Sequence, residues 1–336
     1  MGVRRFTGER CRLGAGLLKG APLSVPLGTL DPVEPYEHGM LDVGDGNQVY
    51  WETVGDPGGK PAVFLHGGPG APSQGARKAL GPGFRLVVLH QRGCGRSTPH
   101  ASDPAVDMSV NTTEHLIADL EKLREHLGIE KWLVYGGSWG TTLAVAYAQR
   151  HPGRVSEMVL IAVTLASERE LDWLYGGVSR FFPEAWARFS GHVGDAPDVV
   201  RAYSDLMESP DREVREQAAA EWCRWEDTVL SLEDFGQPDV FSGRPDDDVI
   251  ALVRIITHYY ARKGFVGDLL GGAGKLAGIP AALVHGRRDL SCPADTAYAL
   301  AKAWPDAELT LVDDSGHKGS PAFREAIEAA VRRFSP

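Results

Sequence analysis

Cysteine is scarce in this chain of 336 residues, which contains only Cys11, Cys94, Cys223 and Cys292. No two of them form a C-x-x-C pair, so their spacing indicates neither a disulfide framework nor a zinc ribbon. Long apolar runs are missing as well, since no stretch reaches the roughly 20 uninterrupted apolar residues of a membrane-spanning helix. We therefore expect a protein of a reducing compartment with no membrane partner.

The N-terminal segment lacks the features of a secretory signal. It begins with basic residues but never builds the apolar segment of roughly 7 to 15 residues that such a signal needs. Residues 1–29 contain Gly, Pro and Arg without clear periodicity, which predicts a disordered leader. Together with the few cysteines, this segment favours a cytoplasmic protein.

Positive charge is also in short supply. The 35 Lys and Arg residues are outnumbered by 45 Asp and Glu residues, which gives a formal net charge of -10. No basic run is dense enough to follow a phosphate backbone, so we expect no nucleic acid partner. An acidic chain remains compatible with a cationic substrate such as a free amine.

Strand and helix patterns alternate along most of the chain. Two short strands around the Gly-rich turn at 44–47 predict a β-hairpin. Apolar runs typical of buried strands follow at 62–65, 86–89, 132–135, 158–161, 281–285 and 309–312. Helical spacing is found at 112–127, 139–150, 294–303 and 322–334. This alternation predicts an α/β fold with a mostly parallel sheet flanked by helices.

One segment interrupts the alternation. Between 165 and 275 the pattern changes to aromatic-rich helices without an obvious apolar strand. We therefore predict three parts: a leader at 1–29, an α/β core formed by 30–164 and 276–336, and a helical segment at 165–275 inserted into that core. Aromatic residues at irregular helical spacing are more often core than ligand contacts, so most of those in the insertion are assigned to packing.

The sequence GGSWG at 136–140 carries the strongest chemical signal. This G-x-S-x-G pattern follows an apolar strand and precedes a helix, which is the context of a nucleophile elbow that exposes its serine at the end of the strand. A Gly-rich turn without a catalytic role is the alternative. A serine hydroxyl is a poor nucleophile near neutral pH, so Ser138 requires a histidine base further along the chain.

His317 is the best placed of the 11 histidines, because it lies in a loop just after the last predicted strand. In α/β-hydrolases the catalytic residues follow the chain order serine, acid, histidine. Asp289 follows the preceding strand and its turn, where a carboxylate can hold the imidazole in one tautomer. Asp295 and Asp313 are rival acids, less favoured because neither directly follows a strand and its turn.

A second Gly-rich loop, HGGPG at 66–70, also follows a buried strand. Its glycines let backbone N–H groups approach a reacting oxygen, and the residue after a nucleophilic serine offers another N–H group. We therefore expect Gly68, or alternatively Gly67, to form an oxyanion hole together with Trp139.

Several motifs together resemble the prolyl aminopeptidase, or proline iminopeptidase, family of serine α/β-hydrolases. They are HGGPG at 66–70, QRGCGRS at 91–97, NTT at 111–113, GGSWGTTLAVAYAQ at 136–149 and HP at 151–152. The likeness runs from about Asp31 to the C-terminus. It implies an α/β-hydrolase fold with a helical cap domain, and Ser138 as nucleophile, Asp289 as orienting acid and His317 as base. It also implies release of an N-terminal residue, proline above all, without a metal or organic cofactor.

Two positions depart from the family's pattern. The acidic residue usual before QRGCGRS is His90 here, a change of local pairing rather than of chemistry. The family's cap offers two glutamates to the substrate ammonium group. The resemblance implies Glu226 as the first, whereas Ile256 occupies the position of the second. Tyr259 is a further candidate for substrate binding, and Cys292 is expected near the site.

The resemblance predicts a serine hydrolase that releases an N-terminal amino acid such as proline or alanine from a peptide or aminoacyl amide through an acyl-enzyme. The expected partner is thus a small molecule or peptide with a free N-terminal amine. An amidase that removes an aminoacyl protecting group from a natural-product intermediate is an alternative, because Ile256 favours substrates with more apolar surface. A carboxylesterase or thioesterase is another, since the fold does not fix the acyl donor. The oligomeric state does not follow from the sequence.

Overall fold

The Gly-rich turn at 44–47 reverses the chain between the first two strands, as the sequence predicts. β1 (Glu37–Gly44) and β2 (Asn47–Gly55) pair in antiparallel register. The structure is a computed structural model that describes residues 34–72, 74–235, 239–242 and 246–336. The leader predicted at 1–29 lies outside the described residues.

Six further strands extend the hairpin into one sheet. They are β3 (Lys60–Leu65), β4 (Phe84–Leu89), β5 (Trp132–Gly137), β6 (Val155–Ile161), β7 (Ala281–Gly286) and β8 (Ala307–Val312). The strand order is β1-β2-β4-β3-β5-β6-β7-β8. The β1–β2 and β2–β4 pairs are antiparallel, and the neighbouring pairs from β4 to β8 are parallel. The predicted α/β-hydrolase fold is therefore confirmed.

Helices flank this sheet and fill the long connection between β6 and β7. They are α1 (Thr113–His126), α2 (Trp139–Arg150), α3 (Glu168–Leu174), α4 (Pro183–His192), α5 (Val199–Met207), α6 (Arg212–Val229), α7 (Asp246–Tyr260), α8 (Ala294–Ala303) and α9 (Pro321–Arg333). In the described part of the chain, each helix is too short or too polar to span a lipid bilayer.

The central strands explain why the sequence shows continuous apolar runs. All six residues of β7 are buried, because helices cover both faces of a parallel sheet. Parallel strands also point their carboxyl ends to one edge of the sheet, which is where ligands bind in such folds. The loops after β3, β5, β7 and β8 carry the residues that the motifs single out.

The helices α3 to α7, here called the helical insertion, have a hydrophobic cluster of their own. Phe189 lies at its centre, with its ring centroid 4.6 Å from that of Tyr203 and 5.4 Å from that of Trp225. Trp222 and Trp225 are fully buried in this cluster. The aromatic residues of the insertion thus serve mainly to pack its helices, while the boundaries at 165 and 275 stay a prediction.

Candidate active site

Ser138 lies in the turn between β5 and α2 with φ 53° and ψ -127°. A serine rarely adopts a positive φ, so the turn holds this residue in a strained conformation. The glycines on either side are required by close packing. A Cβ atom on Gly136 would lie 2.5 Å from the carbonyl oxygen of Gly140, and one on Gly140 would overlap the carbonyl oxygen of Leu65. The turn therefore has the geometry of a nucleophile elbow.

Asp289 and His317 meet at the carboxyl ends of two neighbouring strands. Asp289 follows β7, His317 follows β8, and these strands pair in parallel. Nδ1 of His317 lies 2.8 Å from Oδ2 of Asp289. The other carboxylate oxygen, Oδ1, accepts a hydrogen bond of 2.7 Å from the Cys292 amide. With Nδ1 donating to the carboxylate, Nε2 of His317 is the atom available as a base.

The two rival acids lie elsewhere on the surface. Asp295 pairs with Arg169, and Asp313 pairs with Arg287. The side chains of both aspartates are at least half exposed. Of the three candidate acids, Asp289 is the one that contacts His317.

The environment of His317 favours its protonated form. Burial is the largest single effect and lowers the pKa of the imidazole, but Asp289 and Cys292 together outweigh it and raise the His317 pKa well above its ordinary value of 6.5. This carboxylate is therefore suited to stabilise an imidazolium during proton transfer.

His285, which sequence patterns do not single out, supports the loop that holds Asp289. It lies fully buried in β7. Its Nδ1 accepts a hydrogen bond of 2.9 Å from the Val163 amide, and its Nε2 donates to the Cys292 carbonyl at 2.8 Å. The histidine thus ties the loop after β7 to the chain after β6. A buried histidine at a strand end was the signal that could have found it.

The loop at 66–70 runs directly beside Ser138. A Cβ atom on Gly67 would lie 3.2 Å from the Cβ atom of Ser138. Gly68 has φ +110°, and a Cβ atom there would lie 2.7 Å from the Gly70 amide nitrogen, so this position requires glycine. Trp139 is the first residue of α2, where a backbone N–H group has no acceptor within the helix. Gly67 therefore adjoins the serine, Gly68 lines the same cavity as Ser138, and Trp139 follows Ser138 at the start of α2.

A cavity of about 40 Å³ lies where the core and the helical insertion face each other. From the core, Gly68, Ser138, Cys292 and His317 line it. Cys292 is thus near the site, as expected.

Glu226 on α6 brings a buried carboxylate into this cavity. Its Oε1 accepts a hydrogen bond of 2.5 Å from the Tyr175 hydroxyl. Burial raises the pKa of Glu226 to about 7, although the Tyr175 hydrogen bond and the nearby His317 lower it. No sequence pattern marks Tyr175, because only the packing of the helices brings it to α6.

The predicted tyrosine contact is shifted by one residue. Tyr259 is fully buried away from the cavity lining, and its hydroxyl donates to Oδ1 of Asn111 at 2.8 Å. Tyr260 lines the cavity instead, and its hydroxyl donates to the Gly68 carbonyl at 3.1 Å. Consecutive helical residues point about 100° apart, so α7 turns one tyrosine to the core and the next to the cavity.

Three side chains of the site could also act as metal ligands. The ligand atoms of Asp289, Cys292 and His317 lie within 4.8 Å of one another. Because Asp289 and His317 are hydrogen-bonded to each other, a metal ion at this place would compete with that hydrogen bond.

Comparison with known proteins identifies the family. Residues 60–320 match the family model described as alpha/beta hydrolase fold. A probable proline iminopeptidase of Streptomyces coelicolor is 47% identical over 319 residues, which cover 90% of this chain and 96% of that protein. The proline iminopeptidase of Arabidopsis thaliana is 43% identical over 300 residues, which cover 86% of this chain and 77% of that protein. The chain belongs to the proline iminopeptidase family of α/β hydrolases.

Membership of the proline iminopeptidase family makes this chain a hydrolase. Two solved structures share its fold. VinJ matches with a TM-score of 0.61 at 18% identity, covering 90% of this chain and 98% of its own. The proline iminopeptidase of Mycobacterium smegmatis matches with a TM-score of 0.57 at 19% identity, covering 89% of this chain and 97% of its own. At such identities the likeness concerns the fold alone.

The two departures from the proline iminopeptidase pattern have different surroundings. His90 lies outside the cavity lining, and its Nδ1 accepts a hydrogen bond of 2.9 Å from the Arg96 amide. Burial lowers the pKa of His90 to about 4, so its imidazole is neutral at pH 7. Ile256 does line the cavity and is 1% exposed. The second departure therefore bears on what the cavity can bind.

Glu170 is a second carboxylate in the cavity lining, and sequence analysis missed it. Its Oε1 accepts hydrogen bonds from the Thr164 hydroxyl at 2.8 Å and the Leu165 amide at 3.1 Å. Its Oε2 accepts one of 2.6 Å from the Ser167 hydroxyl and one of 3.0 Å from the Ser167 amide, and the amide bond is part of the capping box that starts α3. The carboxylate oxygens of Glu170 are therefore occupied by hydrogen bonds from neighbouring residues of the same chain. The hydrogen bond described for Glu226 comes from one neutral hydroxyl. The spacing of Ser167 and Glu170 was the signal for this cap.

Proposed function

We propose that this protein is a serine aminopeptidase that releases an N-terminal amino acid, such as proline or alanine, from a peptide or aminoacyl amide. The observation that carries the proposal is the placement of Ser138, His317 and Glu226 around one cavity, with Asp289 bonded to His317. The names of the relatives, which are proline iminopeptidases, agree with this choice of reaction.

The proposed reaction is an acyl transfer in two halves. His317 Nε2 takes the proton of Ser138 as the hydroxyl oxygen attacks the scissile carbonyl carbon, and Asp289 stabilises the resulting imidazolium. The imidazolium then protonates the leaving amine, and the acyl group stays on the serine. Water attacks this acyl-enzyme with the same base, which releases the amino acid and restores the hydroxyl.

Backbone N–H groups are assigned to the charge that develops on the carbonyl oxygen. Gly68 lines the same cavity as Ser138, and Trp139 follows Ser138 at the start of α2, which supports their role as the oxyanion hole. Loss of one such donor costs roughly 3 to 4 kcal/mol in the barrier. The His317 side chain is hydrogen-bonded to Asp289 and interacts with the Cys292 side chain, so we infer that its contact with Ser138 forms when substrate binds.

Glu226 is assigned to the substrate ammonium group. A free α-amine has a pKa of about 8, so it enters mostly protonated and needs a carboxylate in a dry cavity. Glu226 is buried and its described hydrogen bond comes from a neutral hydroxyl, which leaves its negative charge available for a cation. Ile256 stands where the family resemblance implies a second glutamate. We therefore expect weaker selection for the amine and more apolar contact with the substrate.

The helical insertion, with bounds near 165 and 275, is assigned the role of a cap domain. It supplies Glu226, Ile256 and Tyr260 to the cavity, while the core supplies the reacting groups. A cap that closes over the substrate excludes water and strengthens the charge interactions inside.

Chromogenic anilides test this proposal. We expect hydrolysis of prolyl and alanyl anilides with free amines, and rates at least tenfold lower for the N-acetylated compounds. A fluorophosphonate should label Ser138, and Ser138→Ala should abolish both labelling and turnover. Ser109→Ala, a change at an exposed serine, is the matched control. Equal turnover of free and acetylated substrates would contradict the aminopeptidase assignment.

A further inference from the structure

A carboxylate of the helical insertion holds the backbone of the loop that carries His317. Glu233 lies between α6 and α7. Its Oε1 accepts a hydrogen bond of 2.7 Å from the His317 amide, and its Oε2 accepts one of 2.7 Å from the Lys318 amide. Both oxygens of one carboxylate thus bind two successive N–H groups. Hydrogen bonds to a charged acceptor are stronger than those between neutral groups.

The loop at 315–318 is held from two sides. On the core side, the Arg288 amide donates to the Ser315 carbonyl at 2.8 Å, and Asp289 binds the His317 imidazole. On the insertion side, Glu233 binds the amides of His317 and Lys318. The imidazole therefore has its ring fixed by the core and its backbone fixed by the insertion.

The loop is also shaped to receive this carboxylate. A Cβ atom on Gly316 would overlap the carboxyl carbon and the side-chain oxygen of Glu233. The φ of Gly316 is not in the left-handed region, so the backbone itself would accept another residue. Glycine at 316 is thus explained by the room that Glu233 needs.

The position of Glu233 connects two functions within one stretch of chain. It follows α6, the helix that places Glu226 in the cavity. A displacement of this stretch moves the proposed ammonium site and the support of His317 together.

We propose that Glu233 is a positioning residue that sets His317 for proton transfer and makes its alignment depend on the placement of the helical insertion. The proposal rests on the proposed function of Ser138 and His317 but adds a residue outside the cavity. A purely structural tether would lower stability and leave the rate per folded molecule unchanged. A positioning residue lowers that rate, because an error of about 1 Å in a catalytic group costs up to about 100-fold.

The test compares Glu233→Ala and Glu233→Gln with the unchanged protein, all normalised to the folded fraction. For Glu233→Ala we expect kcat and the rate of fluorophosphonate labelling of Ser138 to fall about 10- to 100-fold, with KM changed less than threefold. Glu233→Gln keeps one acceptor oxygen, so its kcat and labelling rate should lie between those of the unchanged protein and those of Glu233→Ala. Asp234→Asn is the matched control. The carboxylate of Asp234 is next to Glu233 in sequence and exposed, and its only ion pair among the described residues is with Arg288 at 3.8 Å.

Gly316→Ala provides a second route if Glu233→Ala folds poorly. It displaces the carboxylate without removing it, so we expect a similar loss of labelling rate. In the double variant with Glu233→Ala, Gly316→Ala should lower the labelling rate by less than a further twofold, because the Glu233 side chain that it would overlap is absent. Labelling rates within threefold of the unchanged protein for Gly316→Ala and for folded Glu233→Ala would overturn the proposal.

Labelling also separates this proposal from the proposed function. If the unchanged protein hydrolyses no aminoacyl anilide while its labelling still depends on Glu233, the substrate class is wrong and the positioning role stands. If the anilides are hydrolysed and the Glu233 variants label at the normal rate, the positioning role is wrong and the aminopeptidase stands.

Discussion

The core and the helical insertion build their halves of the cavity in different ways. Ser138, Asp289 and His317 follow the carboxyl ends of β5, β7 and β8, so strand pairing fixes where they lie. Glu226 and Tyr260 project from α6 and α7, whose buried side chains pack in the hydrophobic cluster of the insertion and, on one face of α7, in the core cluster. The core thus offers positions set by backbone hydrogen bonds, whereas the insertion offers positions set by side-chain packing.

The two carboxylates of the site differ in the same way. Asp289 has both oxygens engaged, one by His317 and one by the Cys292 amide. Glu226 has one described hydrogen bond, from Tyr175, and burial raises its pKa to about 7. A carboxylate that orients a base is best held rigidly by hydrogen bonds to both oxygens. A carboxylate that binds a cation needs an oxygen that can accept hydrogen bonds from that cation. This contrast can be tested residue by residue.

The largest expected effect comes from the core carboxylate. Asp289→Asn should lower kcat by about 10⁴-fold, because an amide stabilises the wrong tautomer of His317 and no imidazolium. KM should change less than threefold. Steady-state kinetics on prolyl anilide measure both constants. Asp313→Asn, a change at an exposed rival acid, serves as control, and a loss confined to KM would break the comparison.

The insertion carboxylate should affect binding rather than chemistry. Glu226→Gln removes a charge-assisted hydrogen bond worth roughly 1.5 to 3 kcal/mol, so kcat/KM for free-amine substrates should fall about 10- to 100-fold. The slow turnover of N-acetylated anilides should not change. Glu216→Gln, an exposed position on the same helix, is the control. Equal losses for free and acetylated substrates would mean that Glu226 does not bind the amine.

The affinity for a free amine should depend on pH through the ionisation of Glu226. Burial raises its pKa to about 7, so the carboxylate is ionised above that pH and becomes neutral as the pH falls through it. The affinity of a free-amine competitive inhibitor should therefore weaken by up to about tenfold per pH unit below 7. Inhibition constants between pH 5.5 and 8 measure this, and Glu226→Gln should remove the dependence. An unchanged affinity over this range would contradict the assignment.

Two neighbouring tyrosines give the smallest and sharpest test. Tyr259→Phe leaves the Asn111 side chain without its buried donor, so it should destabilise the fold by roughly 1 to 3 kcal/mol with kcat within twofold. Tyr260→Phe frees the Gly68 carbonyl at the cavity, so it should lower kcat a few-fold. Denaturant unfolding and steady-state kinetics on both variants check this. Reversed effects would show that the cavity side of α7 is wrongly assigned.

The parts of the molecule that were predicted from sequence depend on interactions between residues close together in the chain. Apolar runs of four to six residues mark strands that are buried on both faces, and glycines mark turns that admit no side chain. Ser138, Asp289 and His317 follow from such strand ends. Tyr175 and Glu233 could not be found in this way, because each meets its partner only when separate helices and loops pack. Tyr259 was the expected contact, but a local pattern does not tell which face of α7 meets the cavity.

By itself, the sequence determined the alternation of strands and helices, the elbow around Ser138, and the chain order of serine, acid and histidine. The tertiary structure alone decided that Tyr260 rather than Tyr259 lines the cavity, that Tyr175 binds Glu226, and that Glu233 holds the loop of His317. The physical reason is the distance along the chain between the residues that interact. Backbone hydrogen bonding and steric exclusion act between residues close in sequence or in paired strands, whereas the orientation of a packed helix depends on all the side chains that surround it.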